Sequence, residues 1–107
     1  MDRCEQIVAN VRMEECYQGM SLVFDGRDAA LREEIDVAIR AVCDETRMQP
    51  TVFNNPDTDR EHHEAFYIEF DDQAQRDAGD FFMRVLQKLG IDHCVNEVVP
   101  RIKEVVQ

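Results

Sequence analysis

Residues 65–71 have the sequence Ala65-Phe66-Tyr67-Ile68-Glu69-Phe70-Asp71. Phe66, Ile68 and Phe70 alternate with Tyr67 and Glu69, and this period of two is typical of a strand that is buried on one face. A second strand candidate, residues 49–54, precedes it. The segment between the two, residues 54–63, is polar and turn-rich, so we predict an antiparallel hairpin with an exposed loop.

Two amphipathic helices are predicted, one before and one after this hairpin. Apolar residues recur with a helical period between residue 28 and about residue 47, and again up to Gly90. Asp72-x-x-Gln75 resembles a capping box at the start of the second helix, and Gly90 suits a left-handed cap at its end. A further strand, residues 20–24, precedes the first helix. The predicted core positions are Leu31, Ile35, Ala38, Ile39 and Val42 in the first helix, and Ala78, Phe81, Phe82, Val85, Leu86 and Leu89 in the second.

Both ends of the chain allow two interpretations. Residues 2–17 fit a helix, which we favour, although Ile7, Ala9, Val11 and Met13 also alternate as a strand would. Residues 94–99 fit a last strand that ends at Pro100, although residues 95–102 also fit a helix with Pro100 near a break.

These elements predict a single α+β domain over residues 1–107. If the last segment is a strand, the order βαββαβ gives an antiparallel sheet of about four strands with two main helices on one face. We therefore expect a two-layer sandwich of the ferredoxin-like kind or a close variant, with an extra N-terminal helix or strand.

The chain is strongly acidic, and the acid is unevenly distributed. Twelve basic and twenty-three acidic side chains give a formal net charge of −11, and residues 49–80 hold nine of the acidic groups but only two of the basic ones. This balance argues against direct binding to a nucleic-acid backbone or to an anionic membrane. Part of the charge is expected to aid solubility and to complement a helix dipole.

The hairpin and the residues just after it are the candidate binding site for a basic partner. Tyr67 and Glu69 are expected on the sheet face without helices, where an aromatic anchor beside carboxylates is typical of protein interfaces. The competing interpretation is that the N-terminal segment folds over this face and buries Tyr67. The predicted partner-binding residues are Asp57, Asp59, Glu61, Glu64, Tyr67, Glu69, Asp71 and Asp72.

The four cysteines, Cys4, Cys16, Cys43 and Cys94, include no C-x-x-C pair, so neither a zinc ribbon nor a thioredoxin-like redox pair is indicated. The N-terminus lacks the basic and apolar regions of an export signal, and no apolar run approaches the roughly 18 residues of a membrane span. We therefore expect a cytoplasmic protein whose thiols are free and mostly buried.

Common catalytic and phosphate-binding motifs are absent from the sequence. The only serine, Ser21, has no nucleophile-elbow pattern, and the neighbours His93 and Cys94 would point to opposite faces of a strand. The run Glu61-His62-His63-Glu64 carries groups that could suit zinc, but a polar loop with two histidines is more often simply exposed. We expect no enzyme activity, no cofactor and no bound metal.

These observations predict a non-enzymatic interaction module that inhibits or regulates its target, of the immunity, antitoxin or phosphate-decoy type. Its acidic hairpin would bind a basic protein surface, such as that of a nucleic-acid-binding protein. The alternative is a small-molecule or metal-sensing regulatory domain, because two-layer sandwiches can bind ligands on the sheet or between protomers. An unpaired sheet edge at residues 20–24 or at the C-terminal strand could also join two copies into a homodimer.

Overall fold

The computed structural model describes residues 2–14, 17–57, 60–71, 75–94 and 96–98. Three helices and five strands lie in these ranges, and helices and strands do not alternate regularly along the chain. The elements are α1 (Arg3–Gln6), β1 (Ile7–Glu14), β2 (Tyr17–Asp25), α2 (Ala29–Thr46), β3 (Thr51–Pro56), β4 (His63–Phe70), α3 (Gln75–Leu89) and β5 (Asn96–Val98).

The five strands form one sheet in the order β3-β4-β2-β1-β5. The first four are antiparallel to their neighbours, and β5 joins the edge parallel to β1. The predicted α+β class and the four-stranded antiparallel sheet are therefore confirmed. The ferredoxin-like strand order is not confirmed, because β1 lies between β2 and β5, which would be neighbours in that arrangement.

The N-terminal segment is a strand over most of its length, and the helix favoured for residues 2–17 was wrong beyond the four residues of α1. β1 pairs with β2 from Ile7↔Phe24 to Glu14↔Tyr17. Ile7, Ala9 and Val11 are buried along one side of β1, as the alternating pattern predicted. Pairing with β2 satisfies the backbone groups of this strand, and its alternating apolar side chains reach the core.

The apolar stripes of α2 and α3 pack with the inward side chains of β1, β2 and β4 in one core, and every predicted core position is buried. Asp28 caps α2, since its side chain accepts a hydrogen bond from the Leu31 N–H at 3.0 Å. Gly90 has a φ of 75°, so the predicted left-handed cap after α3 is confirmed. Asp72, the predicted start of the capping box, lies outside the described residues.

The hairpin is confirmed, with altered bounds. β3 extends to Pro56 and β4 begins at His63, so the ends of the predicted loop belong to the strands.

The free sheet edge predicted at residues 20–24 is not present, because β2 has β1 on one side and β4 on the other. The two outermost strands are β3 and β5, and the C-terminal strand is thus at an edge as expected.

Two of the cysteines are not free thiols. Cys4 and Cys94 form a disulfide, with 6.1 Å between their Cα atoms and a sequence separation of 90. The expectation of free thiols was wrong for this pair, because the fold brings the start of β1 beside the turn after α3. Cys43 is free and half-buried, and burial raises the pKa of its thiol. Cys16 lies outside the described residues.

None of the helices in the described ranges combines the length and the apolar character that a membrane crossing requires.

Candidate functional site: the outer face of the sheet

The sheet face opposite α2 and α3 is the candidate functional site. Side chains of directly paired residues lie on the same face, and successive residues alternate between faces. The pairing Phe53↔Tyr67↔Ser21↔Asn10 therefore crosses this face as one row. We call it the outer face; its residues on β1 to β4 are Val8, Asn10, Arg12, Glu14, Tyr17, Gly19, Ser21, Val23, Asp25, Thr51, Phe53, Asn55, His63, Ala65, Tyr67 and Glu69.

Two aromatic rings lie together on the outer face near its β3 edge. The ring centroids of Phe53 and Tyr67 are 5.2 Å apart at an interplanar angle of 23°, a stacked arrangement. Phe53 remains 37% exposed and Tyr67 is half-buried, so the pair is accessible. The prediction that Tyr67 lies on a face without helices holds for the described residues. The N-terminal segment extends the sheet as β1 instead of covering this face.

Tyr17 adds a third aromatic ring, held in place by a glycine and a carboxylate. A Cβ atom at Gly19 would meet the Tyr17 side chain, so the ring packs directly over the glycine backbone. The Tyr17 hydroxyl donates a hydrogen bond to Glu69 Oε2 at 3.0 Å. Burial is the main cause that raises the pKa of the Tyr17 phenol, and the hydrogen bond and charge of Glu69 raise it further.

The coupling between Tyr17 and Glu69 can be measured by titration. The chain has two tyrosines, so in a Y67F variant the phenolate absorbance reports Tyr17 alone. We expect the pKa of Tyr17 to lie above its ordinary value of 10.0 and to fall when Glu69→Gln removes the neighbouring negative charge. Glu61→Gln is the matched control and should leave the titration unchanged. An identical titration with and without E69Q would contradict the contact.

Glu64, one of the predicted partner-binding residues, lies on the other side of the sheet. It alternates with Ala65 and shares its side with Phe66 and Ile68. Its carboxylate accepts hydrogen bonds from Arg32 Nε at 2.9 Å and Nη2 at 3.0 Å, and from Asn54 Nδ2 at 2.8 Å. The Arg32 guanidinium, followed by Asn54, holds the pKa of Glu64 below its ordinary value. This carboxylate therefore links the hairpin to α2, and its hydrogen bonds within the fold make it unavailable to a partner.

We expect Glu64→Gln to lower the free energy of unfolding by about 1–2 kcal/mol near neutral pH, because a charge-assisted pair is lost. Because folding lowers the Glu64 pKa, the stabilisation is full above its ordinary value of 4.5 and is lost as the pH falls through the folded-state value. The difference between wild type and E64Q in urea unfolding should therefore shrink below that pH. Glu61→Gln, at a carboxylate that is 86% exposed, should change stability by less than about 0.5 kcal/mol at either pH.

The other predicted carboxylates are distributed around the hairpin. Glu61 is exposed in the loop, 3.4 Å from His62 Nε2. Asp57 lies at the start of the loop, where its N–H donates to the carbonyl of His63 at 2.9 Å. Asp71 is exposed directly after β4. Asp59 and Asp72 lie outside the described residues. Of the predicted set, the structure thus brings Tyr67 and Glu69 together on the outer face and separates Glu64 from them.

The candidate metal-ligand group lies away from the hairpin loop. Within the described ranges it consists of Cys4, His93 and Cys94, whose two sulfurs are joined in the disulfide, whereas His62 and His63 belong to no such group. On the outer face, an open cleft of about 210 Å³ lies between Arg12, Tyr17 and Tyr67. A second open cleft of about 300 Å³ is lined by Tyr17, Thr51 and Glu69 among others. The first volume is below, and the second at the lower end of, the roughly 300–1,000 Å³ of small-molecule sites.

Phe53 and Tyr17 are site residues that the sequence analysis did not select. The sequence pattern predicts a strand at Phe53, but its stacking partner depends on the register between β3 and β4. The helix predicted over residues 2–17 would end at Tyr17. The sequence signal for it was Gly19, two positions later on the same strand face, because glycine within a strand often marks a close approach.

No protein-family model matches the chain, and the comparisons with curated proteins and with solved structures likewise found no match.

Proposed function

We propose that this chain is a non-enzymatic interaction module that binds a basic protein surface, with the outer face as the contact. The observation that carries the proposal is the stacked and accessible Phe53–Tyr67 pair on that face. Tyrosine is among the residue types enriched in the side chains that dominate binding energy, and phenylalanine is enriched at interfaces relative to the rest of the surface. An inhibitory or regulatory role in the cytoplasm is part of the proposal.

The charge of the chain indicates the kind of partner. A net charge of −11 gives the whole molecule a negative field, which would speed encounter with a positively charged protein and repel acidic ones. On the outer face, Glu69 lies beside the aromatic pair, and Glu14 lies opposite Tyr17 in the strand register. Arg12 partly offsets this charge through an ion pair with Glu14 at 3.7 Å. The partner surface should therefore combine lysine or arginine with an apolar centre.

The alternative raised by the sequence is a small-molecule or metal-sensing regulatory domain. Small-molecule sensing has weaker support, because the two clefts beside Tyr17 are open to solvent and, at about 210 and 300 Å³, do not exceed the lower end of the small-molecule range.

The proposal is tested by comparing two double variants that remove the same kind of exposed apolar surface from opposite sides of the molecule. F53S/Y67S removes the aromatic pair, and V37S/M83S removes exposed apolar side chains of α2 and α3. Proteins captured by the tagged chain are identified, and the affinity of the purified partner is measured by calorimetry. We expect a basic partner that binds V37S/M83S normally and F53S/Y67S at least about 30-fold more weakly, which corresponds to about 2 kcal/mol.

Two further measurements are the dependence of the affinity on ionic strength and the secondary structure of the variants. Affinity should fall as ionic strength rises, because opposite charges attract across the interface. Circular dichroism should show the same secondary structure in both double variants. A partner that binds F53S/Y67S as tightly as wild type, or that is lost with V37S/M83S, would exclude the outer face as the contact. A salt-independent affinity would exclude a basic partner surface.

A further inference from the structure

Cys4 and Cys94 meet beside a histidine at the point where the two ends of the described chain come together. Cys4 Sγ lies 3.4 Å from His93 Nε2, and the ligand atoms of Cys4, His93 and Cys94 all lie within 4.8 Å of one another. The two cysteines are half-buried and His93 is exposed. The three groups come from two segments about 90 residues apart, so the fold, and not local sequence, assembles them.

We propose that the reduced form of this cluster is a binding site for a zinc-like divalent cation, with two thiolates and one imidazole as ligands. Zinc takes thiolate sulfur at about 2.3 Å and imidazole nitrogen at about 2.0–2.1 Å in tetrahedral geometry. That geometry separates a sulfur and a nitrogen ligand by about 3.6 Å, close to the 3.4 Å between Cys4 Sγ and His93 Nε2 in the oxidised protein. The two sulfurs are bonded to each other in this structure, so after reduction they must separate to the roughly 3.8 Å that two thiolate ligands of one zinc ion have. Thiolate and imidazole together select zinc over calcium or magnesium.

The disulfide and the metal site exclude each other. A dithiol reductant transfers two electrons and two protons to the Cys4–Cys94 bond, which breaks to give two thiols, while the reductant closes to its own disulfide. On metal binding each thiol releases its proton to solvent, and neutral His93 binds through Nε2. The two thiolates balance the charge of the cation. Three protein ligands leave a fourth position for water or for a group from another molecule.

The cluster lies where it can link the last strand of the sheet to the first. Cys4 lies in α1 just before β1, and Cys94 lies two residues before β5, the strand that pairs with β1 at the sheet edge. Either the disulfide or a bound cation therefore ties β5 to β1. The cluster is independent of the outer-face proposal, since it shares no residue with that face.

Cobalt(II) is a suitable probe, because thiolate ligands give it a strong charge-transfer absorption. The test uses a C16S/C43S chain, in which Cys4 and Cys94 are the only thiols. It is reduced with dithiothreitol, freed of the reductant under nitrogen and titrated with Co²⁺. We expect one ion per chain, displacement by Zn²⁺, a higher Tm of the reduced protein with Zn²⁺ than without, and no charge-transfer band from the oxidised protein.

His93→Gln decides the ligand set, because His93 is exposed and its replacement should not disturb folding. H93Q should weaken Co²⁺ binding at least about 10-fold, and Cys94→Ser should abolish the two-thiolate band. His62→Gln, an exposed histidine in the hairpin loop, is the matched control and should bind as the parent does. The proposal is overturned if the reduced protein shows no thiolate band, if H93Q binds Co²⁺ with unchanged affinity, or if the oxidised protein binds equally well.

Discussion

Replacement of Phe81 by alanine is expected to lower the free energy of unfolding by about 3–5 kcal/mol. Phe81 is fully buried in α3, and its ring makes edge contacts with Phe70 of β4 at a centroid distance of 5.2 Å and with Phe82 at 6.4 Å. The substitution removes a large apolar surface from the core and leaves a cavity where the helix layer meets the sheet. Urea unfolding followed by circular dichroism measures the loss directly.

Met83→Ala is the matched control for this prediction, since Met83 lies on the same helix but is 42% exposed. We expect M83A to change the free energy of unfolding by less than about 0.5 kcal/mol. Similar unfolding midpoints for F81A and M83A would contradict the burial of Phe81 between α3 and β4.

Reduction of the Cys4–Cys94 disulfide is expected to lower the free energy of unfolding by about 2–4 kcal/mol. The bond closes a loop with a sequence separation of 90, and in the chain-entropy account a long loop gives a large restriction of the unfolded state. The measurement is urea unfolding of oxidised and reduced C16S/C43S protein, with a chelator present so that no cation replaces the bridge.

Cys43→Ser alone is the control, because Cys43 is free and half-buried. It should change stability by much less than reduction does. Equal midpoints for the oxidised and reduced proteins would mean that the bridge adds nothing to stability. Loss of β5 pairing in the reduced, metal-free protein, seen as faster amide exchange in residues 96–98, would locate the effect at the sheet edge.

The predicted site illustrates what a one-dimensional pattern leaves open. Glu64 and Glu69 both belong to the acidic stretch, yet one accepts hydrogen bonds from Arg32 of α2 and the other from Tyr17 of β2. Strand alternation already placed Tyr67 and Glu69 together. The same alternation puts Glu64 on the side of Phe66 and Ile68, a consequence that the net charge of the stretch concealed. The charge of a segment therefore does not say which of its carboxylates a partner can reach.

The N-terminal segment is a second case in which a local pattern allows two structures. Its apolar residues satisfy both a helical and a strand period, and only the available pairing edge of β2 decides between them. The insertion of β1 beside β2 then moves β5 outward and changes the strand order.

Local periodicity determined the two long helices, the hairpin and their buried sides, because side-chain spacing along a helix or strand selects its apolar face without reference to distant residues. Tertiary structure alone decided the strand order, the pairing of Arg32 with Glu64, the stacking of Phe53 on Tyr67 and the meeting of Cys4, His93 and Cys94. Each of these depends on contacts between segments whose relative position no local pattern specifies, since it follows from how the whole sheet and both helices pack together.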